Sequence, residues 1–417
     1  MRNKQKNGAR IHGRRPEKRV PTIIDLDTGW CTPYPCEHIR DGEKGGAMPV
    51  SVEQVTTKKQ LKEFVMLPYG LYRNDKNWVP QLLMDDYKKL NRKKNPFFQH
   101  AEAEFFIARR DGKTVGRIAS IHDRIWEETH GDKSAYWGWF ECVDDPEVAK
   151  ALFTAAFDWA RKRGCGRIIG PMSPNANDLI GTQVEGFEGS PVILMPYNPS
   201  YYDKLIQGYG NRKWKDLVAW LMDNPDIPER LAKIMPRVQA KGGFTIRTLN
   251  MKQYKEEINR FNALYNQFEK VNAVFTPMTL PEIELMANDL KIALDPDLIF
   301  FAEVDGKPVG VSMTMPDFNV AFKAAKGRLF PFGIFHLLTA KKKTHVVRTI
   351  SMGVLKDYRN RGIDLAFYYY SYKNGVPKGY VAAEMSWVEE DNAAMTNTAL
   401  KLGGKPYRKY RVYEHAL

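Results

Sequence analysis

The stretch with the clearest chemistry reads Ser351-Met-Gly-Val-Leu-Lys-Asp-Tyr-Arg-Asn-Arg-Gly-Ile-Asp364. A β-rich run passes through a short basic loop into an amphipathic pattern, which predicts strand, loop and helix start in that order. Gly362 lets the backbone come close to a ligand, and the amide N–H groups at a helix start point outward and attract anions. Lys356, Arg359 and Arg361 add positive charge. The chemistry that fits is a cradle for a diphosphate. Taken alone, the same spacing also fits mere punctuation at a helix start.

A second region is dense in Asn, Tyr and Pro: Gly170-Pro-Met-Ser-Pro-Asn-Ala-Asn-Asp178, Val184-Glu-Gly-Phe187 and Met195-Pro-Tyr-Asn-Pro-Ser-Tyr-Tyr202. Such loops can line a cleft with hydrogen-bonding groups, which makes Asn177, Asp178, Glu185, Tyr197 and Tyr201 candidate substrate ligands. Ordinary Asx-turns and core tyrosines explain the same residues one at a time.

These groups need a scaffold. A chain of 417 residues is long enough for two domains, and 43% hydrophobic content is enough for each to have a core. Residues 1–47 lack apolar periodicity and are read as a disordered extension; Lys44-Gly-Gly-Ala47 before Met48 suggests that Met48 is the native start. Beyond it, Phe106-Ile-Ala-Arg-Arg-Asp-Gly-Lys-Thr-Val-Gly116 and Phe300-Phe-Ala-Glu-Val-Asp-Gly-Lys-Pro-Val-Gly310 match at a constant offset. This is an internal repeat of domain size, and each Asp-Gly pair predicts a tight antiparallel hairpin. Both halves then continue as strand, helix, strand, so each is read as an α/β unit with a mixed sheet, residues 48–225 and 226–417. The first half has Val143-Asp-Asp-Pro146 where the second has its basic loop, and two carboxylates there would repel a diphosphate.

The net charge of +14 is spread over the chain and suits an anionic small molecule or membrane surface; a nucleic-acid partner is not expected. Cys31, Cys36, Cys142 and Cys165 show no zinc-type spacing, so no metal is expected. The apolar block Leu329–Leu338 is about half the roughly 20 residues needed to cross a bilayer, and the first thirty residues have no apolar core of a secretory signal. A cytoplasmic protein is expected. Basic residues bracket that block across 323–348, a pattern that fits either peripheral membrane contact or a buried helix with solvated ends.

The basic loop resembles that of the GNAT superfamily of acyl-CoA-dependent N-acyltransferases, where Arg359-x-x-Gly362 fits the pattern Gln/Arg-x-x-Gly-x-Gly/Ala. Asn392 followed by Lys401-Leu-Gly403 is similar to the family's later helix, and together these features cover roughly residues 245–417. Two positions depart from the pattern: Asp364 stands where Gly or Ala is usual, and Ala399 where many members have Tyr. The resemblance implies two tandem GNAT-like domains, with the first a degenerate copy. It further implies acyl-CoA as co-substrate and an amine acceptor. Met352, Val354, Arg359, Asn360, Arg361, Gly362 and Ile363 would then bind the cofactor, and a strand amide near Met352 to Val354 would meet the acyl carbonyl. Glu384, Glu389 or Glu390 would supply the base, Glu384 first, with Asn392 beside them. The Asn/Tyr-rich segments resemble a branch of tandem GNAT-like bacterial proteins that also contains the bacterial ceramide synthases, which implies a lipid-like, sphingoid-type acceptor. Aminoacyl-tRNA-dependent transfer of the peptidoglycan-bridge type and non-catalytic ligand binding are the alternatives.

Overall fold

In a computed structural model of the chain, residues 49–225, 229–268 and 272–417 are described. The expected extension 1–47, the start at Met48, and Cys31 and Cys36 lie outside them. The first half runs β1 (Ser51–Gln54), α1 (Lys58–Leu71), α2 (Leu83–Lys89), β2 (Ala101–Arg110), β3 (Lys113–Asp123), α3 (Arg124–His130), β4 (Ser134–Cys142), α4 (Pro146–Arg161) and β5 (Arg167–Gly170). Three short strands, β6 (Met172–Ser173), β7 (Leu179–Ile180) and β8 (Thr182–Glu185), lead to α5 (Tyr202–Gly208) and β9 (Arg212–Met222). The second half runs α6 (Glu229–Gly242), β10 (Thr245–Thr248), α7 (Tyr254–Tyr265), α8 (Leu280–Leu290), β11 (Ile299–Val304), β12 (Lys307–Pro316), α9 (Asn319–Ala325) and α10 (Gly333–Lys343). It ends with β13 (Val346–Val354), α11 (Ile363–Gly375), β14 (Ala382–Glu389), α12 (Ala393–Lys401) and β15 (Lys405–Ala416).

The repeat is structural. Asp111 and Gly112 have φ of 51° and 72°, and Asp305 and Gly306 have 49° and 73°. Positive φ at both central residues is what a two-residue hairpin needs to match strand twist. Each hairpin also carries a bulge at the same point, between Ala108 and Arg109 and between Ala302 and Glu303. The edge strands keep the register as well, with Ser51 opposite Arg109 and Thr245 opposite Glu303.

The two halves are joined through a single 13-stranded sheet, ordered β1-β2-β3-β4-β5-β15-β9-β14-β13-β12-β11-β10, with β8 also on β15. Each half makes one parallel pair, β4 with β5 and β13 with β14. The next strand outward is borrowed: β15 from the second half lies antiparallel to β5, and β9 from the first lies antiparallel to β14. A linear boundary between residues 225 and 226 therefore divides the sequence but not the sheet.

Helices cover both faces. On one, Val148, Leu152, Phe153, Ala156 and Phe157 of α4 pack on Trp137 and Tyr413. On the other, Phe64 and Val65 of α1 meet Phe105, Ile107, Tyr136 and the borrowed Tyr410 and Val412. Each such side chain stabilises by about 1.5–3 kcal/mol relative to exposure, so the exchanged strands are part of the core. Cys142 and Cys165 are buried free thiols.

Candidate active site

In the second half, β13 and β14 pair only from Val346 opposite Ala382 to Thr349 opposite Met385. Beyond that point the strands part around a cleft of about 530 Å³. Ser351–Val354 line one wall, Met385–Glu389 the other. The amide of Leu355 donates to the Val309 carbonyl of β12 at 2.9 Å. Strand alternation then turns the amides of Met352 and Val354 to the opposite edge, toward the cleft.

The basic loop closes one end. Gly362 has φ +85° and stands at the start of α11 without any side-chain cap. The first-turn amides of this helix are consequently not satisfied by a capping side chain, which is the arrangement that attracts an anion. A Cβ at Gly362 would lie 2.4 Å from Val238 Cγ1 of α6, so both the dihedral and the packing call for glycine. Asn360 has φ +62°, and Arg359 Nε donates to the Val354 carbonyl at 3.3 Å. Met352, Val354, Arg359, Asn360 and Ile363 all line the cleft. Arg361 does not: its guanidinium lies over the Tyr358 ring, 4.9 Å from its centroid, and is exposed. Asp364 does line it, where its charge suits the helix dipole but faces any bound anion. Ala399 is fully buried, so its position offers the cleft no hydroxyl.

Among the carboxylates expected to supply a base, the structure separates two roles. Glu389 ends β14, lines the cleft and is nearly buried. The amides of Ala273 and Val274 donate to its two oxygens at 3.1 and 3.2 Å and orient it. Burial pushes its pKa up despite those amides. Glu384 lies outside the cleft, in contrast to its expected place. It is fully buried, accepts from Ser386 Oγ at 2.5 Å and from the Tyr407 hydroxyl, and sits 3.8 Å from Arg348 Nε. Those contacts make it the counter-ion of a buried arginine. Glu390 accepts from Lys213 Nζ at 2.6 Å and likewise is not in the wall. Asn392 lines the cleft and caps α12, its Oδ1 accepting from the Met395 amide at 3.1 Å.

Of the five candidate ligands in the Asn/Tyr-rich segments, Asn177 alone reaches the cleft, bonded to the Tyr265 hydroxyl at 2.5 Å and the Thr276 carbonyl at 3.0 Å. The other four are engaged elsewhere for plain reasons of charge and hydrogen bonding. Asp178 pairs with Lys89, Glu185 with Lys409, Tyr197 donates to Asp75 at 2.6 Å, and Tyr201 donates to the Cys142 carbonyl at 2.8 Å. The residues that the sequence reading missed are aromatic. Phe261, Tyr265 and Phe268 roof the cleft from α7 and the turn after it, and their i, i+4, i+7 spacing was the available signal.

The first half shows the same frame with its site filled by protein. Gly116 opposite Cys142 corresponds to Gly310 opposite Val354, so the Cys142 amide is the counterpart of the Val354 amide. It donates to the Tyr202 hydroxyl at 2.9 Å, and the nearby Trp139 amide donates to Ser173 Oγ at 2.8 Å. The start of α4 is capped by Asp145, whose Oδ1 accepts from the Glu147 amide at 2.9 Å, and Pro146 removes another donor. Arg110 neutralises Asp145 and Glu147. No anion site is left at this helix start.

Solved structures share this architecture. A tandem GNAT protein from the clavulanic acid biosynthesis pathway aligns with 88% of this chain and 98% of its own, at TM-score 0.52 and 12% identity. A GCN5-related glucosamine N-acetyltransferase region of a fungal multi-domain GH3 β-N-acetylglucosaminidase aligns with 90% of this chain and 39% of that one, at TM-score 0.54 and 13% identity. Fold and cleft geometry thus define the class: the chain has the tandem GNAT fold. No protein-family model matches the chain. Sequence relatives narrow the class. Bacterial ceramide synthase of Caulobacter vibrioides (strain NA1000 / CB15N) is 38% identical over 376 residues, 88% of this chain and 98% of that protein. Protein YghO of Escherichia coli (strain K12) is 33% identical over 371 residues, 87% and 94% of the two chains. The chain belongs to the family of these two proteins.

Proposed function

We propose that the chain transfers an acyl group from acyl-CoA to an amine in the cytoplasm, and that the acceptor is a long-chain, sphingoid-type base. The observation that carries this reading is the uncapped, glycine-opened start of α11, which leads directly into the gap between β13 and β14. The donor supplies an activated acyl carbon. Residues Arg359, Asn360 and Gly362 with the first α11 amides hold its diphosphate, and the Met352 and Val354 amides face its carbonyl. Glu389 takes the proton from the attacking amine, its raised pKa favouring that task over an ordinary exposed glutamate. Part of the remaining wall is apolar: Phe261, Phe268, Met278, Met286, Trp387 and Met395 give a deformable surface suited to alkyl chains. The similarity to a protein named bacterial ceramide synthase supports the same acceptor class.

The test is direct. Purified protein is mixed with a long-chain acyl-CoA and sphinganine, with thiol release followed by absorbance and the lipid product by mass spectrometry. An N-acylated base formed at the rate of thiol release is expected. Absence of CoA binding at submillimolar ligand by calorimetry, together with no product from any long-chain amine, would overturn the proposal.

A further inference from the structure

Between Asn319 and Thr344 the chain has six basic residues and no Asp or Glu. The apolar block within this stretch is neither fully buried nor merely a core helix. Leu337 and Ala340 of α10 pack into a core cluster with Phe318, Ala321 and Ala325. The outer side carries Phe330, Phe332, Phe335 and Leu338, exposed by 71%, 73%, 62% and 65%. These are the four most exposed large apolar side chains among the described residues, ahead of Met84 at 57% and Leu400 at 55%. Concentrated exposure of this kind marks an interaction surface.

We propose that this face docks on an anionic lipid surface. At 11 residues α10 is too short to span a bilayer, and no described helix is long and apolar enough to do so. It can lie in the interface instead, with aromatic side chains at headgroup depth and lysines above them. Two of the basic residues have internal partners, Lys323 on Ser190 Oγ at 3.1 Å and Lys341 on the Leu294 carbonyl at 2.6 Å. Arg328, Lys342 and Lys343 are exposed beside the aromatics and suit anionic headgroups. Charge argues against a second copy of the chain as the occupant, since a two-fold contact would set this basic rim against itself. Met313 and Ile350 belong both to the packed layer that α10 joins and to the cleft lining, so this face and the cleft share that layer.

The experiment is flotation of the full chain with phosphatidylcholine vesicles, with and without phosphatidylglycerol. Binding to the phosphatidylglycerol vesicles that weakens as salt rises is expected. The triple variant F332S/F335S/L338S lowers the bound fraction about tenfold or more, and K342E/K343E removes the preference for phosphatidylglycerol. Unchanged melting and CoA binding of both variants confirm that they fold. The proposal is overturned if wild type does not float, or if the triple variant floats equally well. It is also overturned if light scattering shows a dimer that the triple variant abolishes while vesicles stay free of protein. The readout needs no turnover, so its failure leaves the acyl-transfer reading untouched.

Discussion

Glu389 and Glu384 are five residues apart on one strand and do opposite work. Glu389 meets the cleft with its carboxylate held by two amides, so Glu389→Gln keeps much of the shape and removes the proton acceptor. Its expected effect is a fall in kcat of about two orders of magnitude with KM for acyl-CoA little changed, read by steady-state thiol release. The pH profile carries a second signature. A base must be ionised to act, and burial raises this pKa, so kcat/KM of the wild type climbs with pH through a midpoint above the ordinary glutamate range; the Gln variant loses that limb. Glu384→Gln acts on stability instead. It leaves the fully buried Arg348 without its counter-ion, although Arg348 keeps hydrogen bonds to the Ile193 and Leu194 carbonyls. A loss of about 3–5 kcal/mol in urea unfolding is expected. A kcat defect in a fully stable Glu384→Gln protein would contradict that assignment.

The two halves differ in what occupies the position after their fourth strand. In the first, Tyr202, Ser173 and Asp145 satisfy the amides that the second leaves open. One CoA per chain is therefore expected in calorimetry, and the Tyr202→Phe variant keeps that stoichiometry while losing about 1 kcal/mol of stability. Two CoA molecules per chain would show that the first site is not closed. The features legible in the sequence were those whose physics is local. Asp111-Gly112 and Asp305-Gly306 make their turns within four residues, and Gly362 opens its helix by its own dihedral and a few neighbouring amides. What escaped depends on distant partners. Which glutamate meets the cleft turns on where β14 parts from β13: Glu384 is still paired opposite Arg348, whereas Glu389 lies beyond the last pair, Thr349 with Met385. Tyr201 and Tyr197 look like ligands until Cys142 and Asp75, more than fifty residues away, are placed beside them. Phe261, Tyr265 and Phe268 are not singled out by the sequence, because a roof over a cleft and a packed helix face share one periodicity.

Across the whole molecule, the exchange of β9 and β15 is the feature that composition and repeats cannot signal, because antiparallel pairing has no sequence code for its partner. It has an energetic consequence. Residues 49–225 alone would carry β5 and β9 with no β15 between them, and residues 226–417 alone would lack the strand beside β14. Neither half is expected to unfold cooperatively when expressed singly, whereas co-expression restores one transition and CoA binding; calorimetry and light scattering check this. A cooperative melt from either half would refute it. During synthesis the same topology sets an order of events. Most of the first half leaves the ribosome well before the strand that seals its inner edge, so the nascent chain carries an open hydrogen-bonding rim until β15 emerges. Production of this protein should accordingly depend on translation speed and chaperone supply more than its finished core would suggest.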